Sequence, residues 1–163
     1  MRIYVDTSVI GGFYDKEFDE ASNAFFKKVE KGEIVLVVSD LLEAELLRAP
    51  KHVRNYLDKY SKKQIQRVEL TEEAKILADR YIFEKVVGAT SKADCQHIAI
   101  ATICKVDVLV SWNFKHIVNL KRIRGYNSVN LKHNYTMLEI RTPKEILDLW
   151  KQRQSQKKKT LTL

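Results

Sequence analysis

Ile34-Val35-Leu36-Val37-Val38 runs straight into Ser39-Asp40, and this passage decides the fold. An apolar run with no polar break suits a strand buried on both faces, as in a parallel sheet covered by helices on either side. Ser39 is a helix-capping residue. The passage therefore predicts a strand that passes directly into a helix over 39–48.

The same alternation continues outward in both directions. Upstream, Ala21, Ala24, Phe25 and Val29 recur at helical spacing and Gly32 follows as a stop, which predicts a helix over 18–30. Before it, the β-prone Arg2-Ile3-Tyr4-Val5 meets Asp6-Thr7-Ser8 and then Gly11-Gly12, reading as strand and turn. Downstream, Pro50 suits the first turn of a helix over 50–60. Thr71-Glu72-Glu73 opens a long helix to 87, and Ser91-Lys92-Ala93-Asp94 opens another that ends near 104. A strand follows at 106–110, a short strand at 128–131 and an edge strand at 136–140. Pro143 opens a last helix to about 150. Strands alternating with helices predict an α/β three-layer sandwich, with a mostly parallel central sheet flanked by helices.

The chain has 163 residues, enough for one domain with a real core. We expect that domain over 1–150, with 151–163 a basic, disordered tail. Hydrophobic residues make up 45% and charged ones 31%, which suits a soluble globular protein. The longest apolar runs fall far short of the ~20 residues of a membrane helix. Cys95 and Cys104, if on one helix, lie roughly 13 Å apart along its axis, too far for a disulfide. A reducing cytoplasm is the expected location. Only five glycines are present, with no GxGxxG and no Gly-rich loop followed by Lys, which argues against a nucleotide cofactor.

Twenty-nine Lys and Arg face 21 Asp and Glu, a net charge of +8. Five of those bases and no acid lie in 151–163, which leaves the body at only +3. Within the body, 48–67 holds seven bases and one acid, and 108–138 holds five bases and no acid. Three such stretches favour a phosphate-rich ligand.

Sites in open α/β folds lie outside the carboxyl ends of the parallel strands. Asp6 follows the first strand there, where it is either a capping turn residue or a functional acid. Glu45 falls on the apolar stripe of its helix, beside Leu41, Leu42, Leu46 and Ala49. A carboxylate there is costly unless compensated, whereas Glu43 points about 200° away, toward solvent. Asp94 stands in a helix's first turn, where an acid also suits the helix dipole. The same helix turns His97 and Ile98 toward the sheet. Asn113 follows the strand at 106–110 in Ser111-Trp112-Asn113-Phe114. Converging carboxylates repel one another and call for cations. Oxygen ligands suit Mg²⁺ or Mn²⁺, and such ions serve phosphodiester cleavage.

These motifs resemble the PIN-domain ribonucleases of the VapC toxin type, over nearly the whole chain without the tail. The family's opening strand and Asp appear as Ile3-Tyr4-Val5-Asp6-Thr7-Ser8. Its Glu-Leu helix appears as Leu41-Leu42-Glu43-Ala44-Glu45-Leu46, its Asp helix as Asp94-Cys95-Gln96-His97-Ile98-Ala99, and its late strand end as Ser111-Trp112-Asn113. The resemblance implies a PIN-like fold and a Mg²⁺- or Mn²⁺-dependent endoribonuclease that cleaves RNA by metal-activated water. It also implies a homodimer and a cognate antitoxin of a type II pair. Asp6, Glu45, Asp94 and Asn113 would be catalytic, and Asp6, Glu45 and Asp94 would hold the metal. Thr7 and Ser8 would hydrogen-bond the carboxylates. Asn113 departs from the Asp of many relatives, bringing an amide oxygen without charge. That leaves open a catalytically weak or inactive PIN-fold module that binds RNA or a protein partner. A phosphatase with Asp6 as nucleophile fits less well, because Ser8 stands where a second Asp is wanted.

Overall fold

The computed structural model describes residues 1–160. Its centre is a five-stranded sheet in the order β3-β2-β1-β4-β5, with every neighbouring pair parallel. The strands are β1 (Arg2–Val5), β2 (Val35–Ser39), β3 (Ile65–Val68), β4 (Val108–Val110) and β5 (Ile140–Arg141). Ile3 pairs with Leu36 on one side and Val108 on the other, so β1 is the middle of the sheet.

Period-two alternation sends successive side chains of each strand into different layers. Ile3, Val5, Leu36 and Val38 enter one core with Phe25, Phe26 and Val29 of helix α2 (Asp19–Glu30). Tyr4, Val37 and Leu109 enter the other, against α5 (Glu72–Phe83), α6 (Lys92–Ile103) and α7 (Leu120–Lys132). Both faces of the central strands are dry, which is why the 34–38 run needs no polar residue. Ser39 then caps α3 (Asp40–Leu46), its Oγ accepting the Leu42 N–H at 3.1 Å.

The structure differs from the sequence reading at several elements. The expected strand at 128–131 is part of α7. Helical periodicity is hidden there because two of the buried positions are polar. Asn127 holds the Leu138 backbone through both its amide ends, at 2.7 and 3.0 Å, and Asn130 accepts from the Tyr81 hydroxyl at 2.5 Å. The strand β3 is an edge strand whose middle residues, Gln66 and Arg67, are exposed, so it carries little apolar signal. The helix expected over 50–60 is one turn, α4 (Lys51–Arg54), followed by a 3-10 turn (Tyr56–Lys59). The turn after β1 is itself helical, α1 (Thr7–Gly12). The last helix, α8 (Pro143–Thr160), runs ten residues past the expected stop at 150. No Gly or Pro interrupts 151–160, and its Lys, Gln and Arg residues are good helix formers. The expected tail is thus helix through 160, and its remainder, 161–163, lies outside the described residues. Among the described residues, no helix is long and apolar enough to cross a membrane.

Candidate active site

Strand order reverses direction between β1 and β4, the point where open α/β sheets place their crevice, outside the carboxyl ends of the strands. Asp6 directly follows β1 at that point. It occupies the position before α1, but its side chain makes no capping bond. Instead one carboxylate oxygen accepts from Ser8 Oγ and the other from Ser111 Oγ, each at 2.6 Å. Ser8 Oγ in turn accepts the Trp112 N–H at 2.9 Å, and Ser111 Oγ accepts the Asn113 N–H at 2.9 Å. The two serines thus stitch the end of β1 to the end of β4 and hold Asp6 between them. Asp6 is 4% exposed. Burial pushes its carboxyl above the usual carboxylate range, against the opposing influence of His97 and the two serine hydroxyls. A carboxylate held on both oxygens is poorly placed to attack phosphorus, which weighs against the phosphatase reading.

Glu45 projects from α3 on the side that the apolar stripe requires. Thr7 Oγ1 donates to its Oε2, and His97 Nε2 lies 3.2 Å from each of its oxygens. Burial pushes the Glu45 carboxyl up, but the His97 and Thr7 contacts and the Arg48 charge outweigh it and hold it below its ordinary value. Glu43 faces away and pairs with Arg67 at 2.8 Å on the surface. Helix phase thus turns Glu45 toward His97 and Glu43 toward solvent.

Asp94 sits in the first turn of α6. Burial raises its pKa, and the negative charges of Asp6 and Glu45 raise it further, while His116 and His97 oppose them. Asp94 therefore lies in the field of both other acids. Asn113 reaches Asp94 from β4, but with its nitrogen: Nδ2 donates to Asp94 Oδ1 at 3.2 Å. Its oxygen is used elsewhere, accepting the His116 N–H at 3.0 Å, which fixes the amide's orientation. Toward Asp94, the Asn113 amide is thus a donor in this arrangement. The reason is local: the turn after β4 needs an acceptor for the His116 N–H. His116 itself is built into that turn, its carbonyl accepting from Tyr126 Oη at 2.8 Å.

Three further residues of the site carried no signal of their own in the sequence. Ser111 was visible only as part of the Ser-x-Asn motif. Tyr4 reads as an ordinary core residue of β1 and Ser39 as a helix cap. In the structure the Tyr4 hydroxyl lies 2.7 Å from Ser39 Oγ and 2.6 Å from His97 Nδ1.

Asp6, Glu45 and Asp94 supply hard oxygen donors, the kind that Mg²⁺ and Mn²⁺ take. The raised pKa values of Asp6 and Asp94 mark buried acids without a full counter-charge, which a divalent cation would supply. Among the described residues, no three His, Cys, Asp or Glu side chains are assembled to hold an ion together. An ion at this place would take one or two carboxylates and complete its shell with water and substrate phosphate, the usual manner of Mg²⁺. The donor set therefore fits the cation in chemistry, though not as a preformed cage.

No protein-family model and no curated protein matches the chain. Solved structures do share its fold. VapBC2 from Rickettsia felis, crystallised with a DNA fragment from its promoter, aligns at a TM-score of 0.54 and 14% identity. That alignment covers 87% of this chain and 98% of the other. VapC20 from Mycobacterium tuberculosis, a toxin that cleaves the sarcin-ricin loop, aligns at a TM-score of 0.54 and 11% identity. It covers 69% of this chain and 91% of that one. The α/β architecture, with its parallel five-stranded sheet between helical layers, is the PIN-like fold of these VapC structures.

Proposed function

We propose that this chain is a Mg²⁺- or Mn²⁺-dependent endoribonuclease of the VapC type, the toxin of a toxin–antitoxin pair that works in the cytoplasm. The observation that carries the reading is Asp6, buried at the reversal point of the sheet and clamped by Ser8 and Ser111, with Asp94 in the field of both Asp6 and Glu45. Acids brought near one another at that point are costly, and a cation would offset the cost. Asp6 and Asp94 would hold a divalent ion, which would supply Lewis acidity for activating water and steadying the leaving oxygen. Ser8 and Ser111 keep Asp6 oriented. Glu45, held ionised by His97 and Thr7, would orient the attacking water. Water adds to phosphorus as the P–O3′ bond breaks, leaving a 5′-phosphate and a 3′-hydroxyl that takes up the proton.

The basic stretches at 48–67 and 108–138 supply charge for an RNA backbone. The likeness to a toxin that cleaves the sarcin-ricin loop and to a VapBC2 assembly supports RNA as substrate and an antitoxin as partner. A homodimer belongs to the same reading. The second reading is a PIN-fold module that binds RNA or protein without cutting, and the Asn113 amide nitrogen turned toward Asp94 favours it.

Incubation of labelled RNA with the purified protein separates the two. The nuclease reading expects cleavage with Mg²⁺ or Mn²⁺, 5′-phosphate products, and loss of cleavage on chelation or in Asp6→Asn. Binding without cleavage under all of these conditions would favour the second reading.

A further inference from the structure

We infer that His97 is a positioning residue for Glu45, and that Tyr4 and Ser39 fix which imidazole nitrogen carries the proton it uses. The inference rests on the nuclease reading for its purpose, and on hydrogen-bond bookkeeping for its substance. The chain of contacts starts at a backbone amide. Leu42 N–H donates to Ser39 Oγ at 3.1 Å. Ser39 then has one hydroxyl proton to give, and its neighbour at 2.7 Å is Tyr4 Oη. Tyr4 Oη accepting that hydrogen bond leaves its own hydroxyl hydrogen to donate to the next atom, His97 Nδ1, at 2.6 Å. A ring nitrogen that accepts at Nδ1 carries its hydrogen at Nε2. Nε2 faces both oxygens of Glu45 at 3.2 Å. Each hydrogen on this path then has an acceptor, and the hydrogen on Nε2 points at a carboxylate. Burial pushes the Tyr4 phenol well above its ordinary pKa, so it keeps the proton that it donates.

The path leaves α3 at its cap, crosses β1 and α6, and returns to α3 at Glu45. Its ends and its middle are held by three rigid elements. Tyr4 and Ser39 are wholly buried and His97 is 2% exposed. Phe at position 4 and an aliphatic residue at 97 would pack without the cost of burying two polar groups. Tyr4 and His97 are therefore better explained by what they do to Glu45 than by core packing, with Ser39, the cap of α3, at the head of the path. Thr7 Oγ1 takes Glu45 Oε2. That leaves Oε1 as the oxygen offered to the crevice, in a plane that the His97 Nε2–H sets.

The test uses the full chain and four measurements. Side-chain ¹⁵N NMR of the wild type reads the tautomer directly, and a hydrogen on Nε2 with a bare Nδ1 is expected. His97→Leu should lower Mn²⁺ affinity or kcat on RNA by about 10–100-fold, the usual effect of losing such a supporting contact, with KM for RNA little changed. His97→Gln keeps a donor near the Nε2 position and should recover most of the loss. Tyr4→Phe keeps the packing and should release the tautomer, with a partial loss of the same sign. A proton on Nδ1, or equal behaviour of the Leu and Gln variants at matched thermal stability, would overturn the inference. If the wild type bound Mn²⁺ but cut no RNA, the nuclease reading would fall, while the NMR tautomer and the Mn²⁺ affinities of the variants would still decide the role of His97.

Discussion

Asn113→Asp places a second negative charge against Asp94, and its cost follows from one distance. The Asn113 amide nitrogen is 3.2 Å from Asp94 Oδ1. Replacing it by a carboxylate oxygen converts a hydrogen bond into a like-charge contact. Two unit charges at that spacing repel by about 5 kcal/mol at an effective dielectric of about 20, and by about 1 kcal/mol in water. Asp94 is half-buried, so we expect a cost between these limits, about 2–3 kcal/mol in the metal-free protein at neutral pH. For a chain of this length that is a fall in Tm of roughly 5–10 °C. The new side chain keeps the acceptor for the His116 N–H, so the turn after β4 is not itself broken. The pair raises its own pKa values and shares a proton when the pH falls. The deficit should therefore be full above the raised pKa and shrink on acidification. Mn²⁺ should also shrink it, because a cation between the two carboxylates replaces repulsion with attraction. Thermal melts in chelator from pH 5 to 8, with and without added Mn²⁺, measure all of this. A variant as stable as the wild type in chelator at neutral pH would refute the placement of Asn113 against Asp94.

Asp94→Asn should abolish cleavage and raise metal-free stability at pH 7. The Asp94 pKa is raised by burial and by its acidic neighbours, so ionising it costs stability as pH rises through that value. The gain should fade toward pH ~4, near the ordinary aspartate value, and melts of both proteins across pH check it. Glu45→Gln should remove most RNA cleavage, whereas Glu43→Gln should leave cleavage intact and cost only about 0–1 kcal/mol, the value of an exposed pair such as that with Arg67. Parallel cleavage assays and denaturant titrations decide that contrast. Gly12→Ala would put a Cβ 2.6 and 2.7 Å from Trp112 Cδ1 and Nε1. The indole is backed by the stacked Phe18 ring at 4.5 Å, so it has little room to yield. A destabilisation of about 1–3 kcal/mol is expected, with a shift in tryptophan fluorescence, and an unchanged melt would contradict it.

The sequence reading reached the layer architecture because β1, β2 and β4 are apolar on both faces and stand next to capping residues. It lost α7, where Asn127 and Asn130 are buried as brackets for neighbouring segments rather than exposed as a polar face. It also lost β3, whose exposed Gln66 and Arg67 leave too little apolar pattern at a sheet edge. At the candidate site, Asp6 and Glu45 stood out because an acid at a strand end or on an apolar stripe conflicts with its surroundings, whereas Asp94, in a helix's first turn, stood out only through its motif. The serine clamp, Ser8 with Ser111, joins residues 103 apart in the chain, so only Ser8 could be named as a partner of the acid beside it. Tyr4 was illegible because a tyrosine in a buried strand looks the same whether or not its hydroxyl has work. The orientation of the Asn113 amide was illegible too, since it is set by a backbone N–H three residues on.

The central claim is that Asp6 and Asp94 hold a divalent cation at the reversal point of the sheet. Crystals of the full chain grown with Mn²⁺, with diffraction recorded at the manganese edge, test it most directly. The account expects an anomalous peak touching carboxylate oxygens of Asp6 and Asp94, with Glu45 facing it directly or through water, and no such peak in Asp6→Asn. A peak elsewhere, or none at these two residues while Mn²⁺ still supports RNA cleavage, would contradict it.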